Sequence, residues 1–363
     1  MPDARRPILP PARNDAGARD PGADRPTALQ RIRGSLLAGA VGDALGAPVE
    51  FLSLDEIRTR FGPEGVRELA PAYGRAGAIT DDTQMTLFTA EGLVLAARAG
   101  ALDRQDELAR IVHRAYLRWL RTQGETSAHP TFERADEGWL LDVADLHSLR
   151  APGTTCLAAL RSAHFGRIEH PPNSSKGCGA VMRMAPVGLA LAVGDPFRTG
   201  CALAALTHGH PSGWLAAGFL AALVRELVAG ASLEEAARET LTELRRWPGS
   251  EECAAAVDRA LARARAGPAT AEAVESLGEG WVAEEALAIS LYCAIAAPDL
   301  ESALRLAVNH GGDSDSTGAI TGNLLGTIHG ERAIPRRWLD ALELREEIER
   351  MAEELYAACG EGG

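Results

Sequence analysis

The chain has 363 residues, of which 46% are hydrophobic and 24% are charged, so it is long enough to bury a large core. Its formal net charge is −13, and an acidic surface repels phosphate backbones, which disfavours nucleic acid as a partner. The sequence contains no run of about 18 apolar residues and no apolar stretch of signal-peptide length near the N-terminus, so it predicts neither a membrane partner nor a secretory leader.

The six cysteines are scattered along the chain and form no CxxC pair. This distribution disfavours a disulfide framework and a zinc cluster. It predicts a protein of the reducing cytoplasm.

Residues 1–26 differ in composition from the remainder of the chain. They contain six prolines and five arginines, whereas apolar residues are sparse and aperiodic. Such a segment buries too little surface to offset the entropy lost on ordering. The sequence therefore predicts a flexible arm over residues 1–26 and one domain over residues 27–363.

Past the arm, alanine and leucine dominate, and runs of β-branched residues with a period of two are missing. Capping boxes predict helix starts at Ser53 with Glu56 and at Ser232 with Glu235. Asp299, which follows a proline, is predicted to be another N-cap. These signals favour an all-α fold.

Two helices are predicted in the C-terminal half, over residues 233–246 and 337–358. No linker rich in proline, glycine or serine divides the chain after residue 27, and no internal repeat is found. The sequence therefore predicts a single all-α domain rather than two.

Small residues recur every four positions in two segments. They are Gly34, Ala38, Gly42 and Gly46 in the first segment, and Gly318, Gly322 and Gly326 in the second. Small residues at this spacing share one helix face and let two backbones approach closely. We expect these two helices in the crowded centre of the fold, where a preorganised site would be supported.

Thr80, Asp81 and Asp82 open a predicted helix that runs through Leu93 and Leu95. Adjacent carboxylates at a helix N-terminus are favoured by the helix dipole and by free N–H groups, so helix capping alone could explain them.

Two further acids lie near the first glycine-spaced helix. Glu50 follows that helix at a proline turn, where a solvated loop glutamate is the structural interpretation. Asp43 lies inside the apolar helix, and we predict that it is a buried hydrogen-bonding acid rather than a catalyst.

The sequence NHGGDSDSTG at 309–318 is a glycine turn followed by two acids and a helix start. Asp313, Asp315 and the neighbouring hydroxyls predict an oxygen-rich pocket. An EF-hand would require a glutamate at loop position 12, which is Leu324 when counted from Asp313, so an EF-hand is excluded. Hard oxygen ligands favour Mg²⁺ or Mn²⁺ over zinc, and clustered carboxylates need cations to offset their repulsion.

The segment KGCGAVMR at 176–183 could bring backbone N–H groups near phosphate oxygens. It is neither a P-loop nor a dinucleotide fingerprint, because GxxxxGK[ST] is absent and no strand precedes it. Cys178 is interpreted as a small buried thiol rather than a nucleophile. His208 and His210 are two apart, which excludes the zinc HExxH arrangement. We interpret His210 as a helix-start residue and leave His208 open between structure and function.

Five of these segments, in this order, resemble the ADP-ribosylglycohydrolase family. They are GSLLAGAVGDALGAPVEF (34–51), ITDDTQMTLFTAEGL (79–93), KGCGAVMRMAPVGL (176–189), THGHPSGWLAAG (207–218) and NHGGDSDSTGAITGNLLG (309–326). Each segment is a weak signal alone, whereas five in family order are specific. The resemblance implies an all-α fold with a central site for two divalent cations, Mg²⁺ or Mn²⁺.

The resemblance also implies roles for individual residues. The implied metal ligands are Thr80, Asp81, Asp82, Asp313, Asp315 and Ser316. The implied substrate-binding residues are Gly177, Gly179, Met182, Arg183 and His208. The implied catalytic carboxylates are Asp81, Asp82 and Glu50, with the base and ligand roles of the two aspartates unseparated. Ser316 stands where the family usually has threonine, so we expect retained metal binding with looser positioning.

The implied reaction breaks the bond between C1 of a ribose and a guanidinium nitrogen or a hydroxyl oxygen, through an oxocarbenium-like state. We expect an ADP-ribosylated protein as substrate, modified on arginine by a regulatory or toxin ADP-ribosyltransferase. Serine-linked or free ADP-ribose derivatives are the alternatives within the enzyme class. The non-enzyme alternative is an immunity module that blocks a transferase by contact, and the arginine-rich arm over 1–26 could bind such a transferase as a pseudo-substrate.

Overall fold

The computed structural model describes residues 25–135 and 137–360 of the chain. The α-helices of this part are α1 (Ala28–Gly46), α2 (Leu54–Phe61), α3 (Asp81–Arg98), α4 (Gln105–Thr122), α5 (Thr154–Arg161), α6 (Ala185–Leu189), α7 (Pro196–Ala204), α8 (Pro211–Ala229), α9 (Leu233–Leu244), α10 (Glu251–Arg265), α11 (Ala271–Glu275), α12 (Ala283–Ala296), α13 (Leu300–Val308), α14 (Ser314–His329), α15 (Arg336–Ala341) and α16 (Arg345–Cys359). Short 3₁₀ helices span Phe132–Arg134, Leu140–Asp142, Ala144–Leu146, Cys178–Ala180 and Glu331–Ala333. The prediction of an all-α fold is confirmed.

The described strands, β1 (Pro71–Ala72) and β2 (Arg75–Ala76), form one small antiparallel hairpin. Tyr73 and Gly74 make its turn, with φ angles of 50° and 87°. A tyrosine rarely adopts this left-handed conformation. The hairpin precedes α3 and lies beside its N-terminus.

The predicted arm over 1–26 lies outside the described residues apart from Arg25 and Pro26. Its flexibility and its contact with a transferase stay predictions. The first described helix, α1, begins after Thr27, whose hydroxyl accepts a hydrogen bond from the Gln30 N–H in a capping box.

The helix starts predicted from capping signals are largely present. Ser53 and Glu56 form the predicted capping box of α2, and Asp299 caps α13. α9 does begin after Ser232, but the Ser232 hydroxyl contacts the Glu235 carboxylate at 3.4 Å instead of capping the backbone, so that capping box was wrong.

The predicted helix over 337–358 was wrong in its continuity, because the structure divides it into α15 and α16. Leu344 adopts a φ of 57° at the break. Glu343 is turned inward there: its N–H donates to the Gly77 carbonyl at 3.0 Å, and its side chain is buried. Satisfying this carboxylate in the interior interrupts the helix.

The two glycine-spaced helices, α1 and α14, pack against each other in the centre of the fold. An ideal Cβ built on Gly322 would lie 2.0 Å from the carbonyl oxygen of Ala38, and one on Gly326 would lie 2.0 Å from that of Gly34. Backbone therefore meets backbone, as the spacing predicts. α3, α12, α13 and α16 pack around this pair.

One described helix, α8 (Pro211–Ala229), is long and apolar enough to cross a membrane by length and composition alone. Most of it is buried inside the fold, packed on α7 and α6. A helix buried in the core of a protein can be as long and as apolar as a membrane-spanning one, so packing in the core explains the composition of α8.

The contact between α1 and α14 predicts a large penalty for one added methyl group. We expect Gly322→Ala to lower the free energy of unfolding by about 2 kcal/mol or more, because the Cβ would overlap a backbone oxygen that cannot rotate away. Urea denaturation measures the change. Gly267→Ala is the matched control, since a Cβ there meets no atom within 4 Å and should change stability by less than about 0.5 kcal/mol. Equal stability of the two variants would contradict the interpretation.

Candidate functional site

The contact between α1 and α14 brings the end of one helix to the beginning of the other. An ideal Cβ on Gly46 would lie 2.4 Å from the backbone nitrogen of Asp315. The turn after α1, which carries Glu50, consequently meets the first residues of α14. Residues separated by more than 260 positions in sequence therefore share one site.

Glu50, Asp313 and Asp315 form the acidic cluster of this site. Each offers a carboxylate oxygen, and these oxygens all lie within 4.8 Å of one another. All three side chains are buried. The structure therefore groups Glu50, interpreted from sequence as a solvated loop residue or a catalytic acid, directly with two predicted metal ligands.

The N-terminus of α3 supplies the other two predicted carboxylates, Asp81 and Asp82. Asp43 holds this segment in place: its carboxylate accepts hydrogen bonds from the Thr80 N–H at 3.0 Å, from the Thr83 N–H at 3.0 Å and from the Thr83 hydroxyl. The prediction that Asp43 is a buried hydrogen-bonding acid is confirmed. The Thr80 hydroxyl accepts from the Asp82 N–H at 3.2 Å.

Burial and mutual repulsion raise the pKa of these carboxyl groups. Burial, followed by the charges of Asp315 and Asp313, raises the pKa of Glu50 to about 11. Burial and Asp315 raise the pKa of Asp43 to about 7. Burial and neighbouring acids also raise the pKa of Asp81 and Asp82 well above the usual range. Burial and Asp315 do the same for Asp313, and burial raises the pKa of Asp315.

Two oxygens of the site have no partner within residues 25–135 and 137–360. They are the buried Oε2 of Glu50 and the buried Oδ2 of Asp82. A buried carboxylate oxygen without a donor is costly, and a cation would both bind it and offset the repulsion among the acids. The donor set consists of hard oxygens, so it fits Mg²⁺ or Mn²⁺.

A cavity of about 360 Å³ opens above the acids. Most of the predicted site residues line it: Glu50, Asp81, Asp82, Gly177, Gly179, Met182, His208, Asp313, Asp315 and Ser316. Thr80 and Arg183 do not. Thr80 lies beneath the acids, and Arg183 is fully buried behind the wall, where it donates to the Gly179 carbonyl at 2.6 Å.

The glycine-rich segment forms one wall of the cavity. Gly177 bridges to Val282, and the Cys178 N–H donates to the Trp281 carbonyl at 3.1 Å. Cys178 is only partly buried, and its thiol donates to Oδ2 of Asp313 at 2.6 Å. The interpretation of Cys178 as a small buried thiol was therefore wrong in its burial, and this thiol touches the acidic cluster. Burial and the charge of Asp313 raise the pKa of the thiol, which agrees with the expectation that Cys178 is not a nucleophile.

The two histidines have different surroundings. His210 is the N-cap of α8 and its Nδ1 accepts from the Ser212 N–H at 3.2 Å, so its interpretation as a helix-start residue is confirmed. His208 is buried but reaches the cavity beside Gly177 and Gly179.

Sequence reasoning missed the aromatic rim of the cavity. Phe51 and Trp281 stack with ring centroids 5.7 Å apart, and Phe51 is 71% exposed. Large exposed aromatic rings next to a polar cavity are typical of ligand or partner contacts. The pairing of these rings across 230 residues leaves no signal in the local sequence.

Sequence reasoning also missed Glu343. Its carboxylate accepts hydrogen bonds from the Ile79 N–H at 3.1 Å, from Arg150 at 3.1 Å and from Arg75 at 3.3 Å. The Arg150 carbonyl in turn accepts from the Asp81 N–H at 3.0 Å. Glu343 thus fixes the segment that enters α3 with its two aspartates.

Comparison with known proteins agrees with the family resemblance of the sequence. A family model described as ADP-ribosylglycohydrolase matches residues 24–363. The chain belongs to the ADP-ribosylglycohydrolase family. A solved structure titled "ADP-ribosylglycohydrolase-related protein complex" matches with a TM-score of 0.63 and 30% identity, covering 92% of this chain and 99% of that one.

Relatives match this chain over most of its length. It is 31% identical to a protein of Archaeoglobus fulgidus over 90% of this chain and 96% of the relative. It is 29% identical to the ADP-ribosyl-[dinitrogen reductase] glycohydrolase of Rhodospirillum rubrum, over 92% and 98%. It is 26% identical to the ADP-ribosylarginine hydrolase Tri1 of Serratia proteamaculans, over 90% and 79%. Glycohydrolase activity is thereby supported.

The contacts of Glu343 predict a residue that matters without touching the cavity. We expect Glu343→Gln to lower the free energy of unfolding by about 3 kcal/mol, because it leaves the buried Arg150 without its carboxylate. We also expect lower activity, since Ile79 and Asp81 lose their support. Urea denaturation and hydrolysis assays measure both effects. Glu346→Gln, at an exposed position of α16, is the control. Indistinguishable behaviour of the two variants would refute this role for Glu343.

Proposed function

We propose that this protein hydrolyses the bond between ADP-ribose and an arginine side chain of a modified protein. The observation that carries the proposal is the convergence of five buried carboxylates (Glu50, Asp81, Asp82, Asp313 and Asp315) on one cavity that Gly177 and Gly179 also line. The acids suit cations and ribose chemistry. The backbone of the small residues suits the diphosphate.

The acids supply the ligands for divalent cations, and we propose Mg²⁺ with Mn²⁺ as the alternative. Asp313, Asp315, Asp81 and Asp82 are the proposed carboxylate ligands, with the hydroxyls of Thr80 and Ser316. The unpartnered Oε2 of Glu50 supports adding this residue to the set. When bound, such cations supply Lewis-acid polarisation of the ribose and of water.

The reaction adds water to C1 of the ribose as the bond from C1 to the guanidinium nitrogen breaks. A carboxylate accepts a proton from the attacking water. The guanidine takes the bonding electron pair and gains one proton, so it leaves as guanidinium and the protons balance. Asp81, Asp82 and Glu50 are the candidates for the carboxylate. Oδ2 of Asp81 already accepts from the Gly153 N–H at 3.1 Å, whereas Oδ2 of Asp82 and Oε2 of Glu50 have no partner among the described residues. This difference favours Asp82 or Glu50 over Asp81 as the proton acceptor.

The proposed arginine linkage rests on the relatives. Those from Rhodospirillum rubrum and Serratia proteamaculans are named for ADP-ribosyl-protein and ADP-ribosylarginine substrates, and they align along most of the chain. We propose a cytoplasmic site of action as well, supported by six cysteines that are all free thiols.

The metal proposal predicts that one substitution removes both the activity and the stabilisation by Mg²⁺. We expect Asp313→Asn to reduce hydrolysis by at least about 100-fold and to abolish the thermal stabilisation that added Mg²⁺ gives the wild-type protein. A ligand present at 100 times its Kd stabilises the native state by about 2.7 kcal/mol. Differential scanning fluorimetry with and without Mg²⁺, together with release of ADP-ribose, measures both.

Asp258→Asn is the matched control for this experiment. Asp258 pairs with Arg245 on the surface, so its variant should retain activity and the response to Mg²⁺. A folded Asp313→Asn protein that is fully active in the presence of a chelator would overturn the metal proposal.

The linkage proposal predicts a difference between two substrates. We expect an arginine-linked ADP-ribosyl peptide to be cleaved faster than a serine-linked one, measured as kcat/KM for release of ADP-ribose with Mg²⁺ present. Faster cleavage of the serine linkage would move the protein to the alternative substrate class. Tight binding to a transferase without hydrolysis of either peptide would favour the immunity module.

A further inference from the structure

Arg183 is a buried cation that makes no ion pair within the described residues. Its Nη1 donates to the Gly179 carbonyl at 2.6 Å, and its Nη2 donates to the Thr207 hydroxyl at 2.7 Å. The Tyr116 ring lies 4.4 Å from its Cζ. A buried charge is unfavourable unless strong acceptors solvate it. Both hydrogen-bond acceptors lie at the cavity: Gly179 lines it, and Thr207 precedes His208, which also lines it.

The hydrogen bond from Arg183 determines to which acceptor the Thr207 hydroxyl donates its own proton. A guanidinium can only donate, so the Thr207 oxygen is the acceptor in that bond. Its proton can go to Nδ1 of His208 at 2.9 Å or to the carbonyl of Ala204 at 3.5 Å. The Ala204 carbonyl already accepts from the N–H groups of Thr207 and His208 at 3.1 and 3.0 Å. The shorter, unoccupied acceptor is Nδ1.

A neutral histidine whose Nδ1 accepts a hydrogen bond carries its proton on Nε2. No described residue hydrogen-bonds Nε2 of His208, and ideal Cβ atoms on Gly177 and Gly179 would lie 3.5 and 3.6 Å from it. Nε2 therefore faces the glycine loop at the cavity. We infer that Arg183, acting through Thr207, fixes His208 as a neutral Nε2–H donor that points at an acceptor oxygen of the ligand.

Two observations agree with this assignment. Burial and the charge of Arg183 lower the pKa of His208 to about 3, so the ring stays neutral near neutral pH. The Gly179 carbonyl accepts from Arg183, and no described residue accepts from Nε2, so that donor is left to the ligand. Arg183 and Thr207 are thus positioning residues. Only the identity of the acceptor, an oxygen of ADP-ribose, rests on the proposed function.

The tautomer of His208 is measurable without any substrate. We expect long-range ¹H–¹⁵N spectra of the full chain, labelled with ¹⁵N-histidine, to show His208 protonated on Nε2. The His208 signal is assigned by its loss in His208→Gln. Thr207→Ser should keep this tautomer, whereas Thr207→Val and Arg183→Met should populate the Nδ1–H form.

Affinity for ADP-ribose gives the second measurement, by isothermal titration calorimetry with Mg²⁺ present. We expect Thr207→Val to weaken binding by about 5- to 10-fold, the effect of one misdirected hydrogen bond, and Thr207→Ser to bind within about 2-fold of wild type.

A wild-type spectrum with the proton on Nδ1 would overturn the inference, even if every variant failed to fold. So would an unchanged tautomer in a folded Arg183→Met or Thr207→Val protein. An Nε2–H tautomer that depends on both residues, in a protein that does not bind ADP-ribose, would support the positioning role and count against the proposed function alone.

Discussion

The close approach of α1 and α14 is the constraint on which the site depends. Glycines on both helices let backbone meet backbone, so neither helix can slide or rotate without a clash. This contact fixes the end of α1 against the start of α14. Glu50, Asp313 and Asp315 meet as a consequence, and their spacing is set by main chain rather than by flexible side chains.

This cluster of carboxyl groups is electrostatically unfavourable to folding, because water cannot screen the charges from one another in the interior. Hydrogen bonds and ion pairs elsewhere offset this cost. Asp43 is satisfied by the N–H groups of Thr80 and Thr83, and Glu343 by two arginines and the Ile79 N–H. Asp43 and Glu343 thus both anchor the segment that carries Asp81 and Asp82. Within the described residues, Glu50 and Asp82 at the cavity each keep one oxygen free, as expected of a preorganised cation site.

Much of this could be read from the sequence. The all-α fold, the pairing potential of the glycine-spaced helices and an oxygen-rich pocket at Asp313 and Asp315 follow from local patterns: helix caps, four-residue spacing and acids beside a glycine turn. The other residues around the cavity were implied only by the resemblance to the family. The interior role of Asp43 also followed, since an acid within an apolar helix must find buried donors.

The remainder depended on contacts between distant segments, which local patterns do not contain. Glu343 looks like one more charge of a C-terminal helix, and only its arginine partners in space explain why the helix breaks there. Cys178 was misjudged because its partner, Asp313, is 135 positions away. Arg183 belongs to the glycine-rich segment, but its side chain is buried behind the cavity wall and does not line the cavity.

The floor and the rim of the cavity are formed by different kinds of structure. Its floor consists of helix ends locked by backbone contact, whereas Phe51 and Trp281 at the rim stand on loops and are partly exposed. Substitution at an exposed loop position costs little folding free energy. Rim substitutions can therefore change what the cavity admits while the helix ends that hold the acids stay in place.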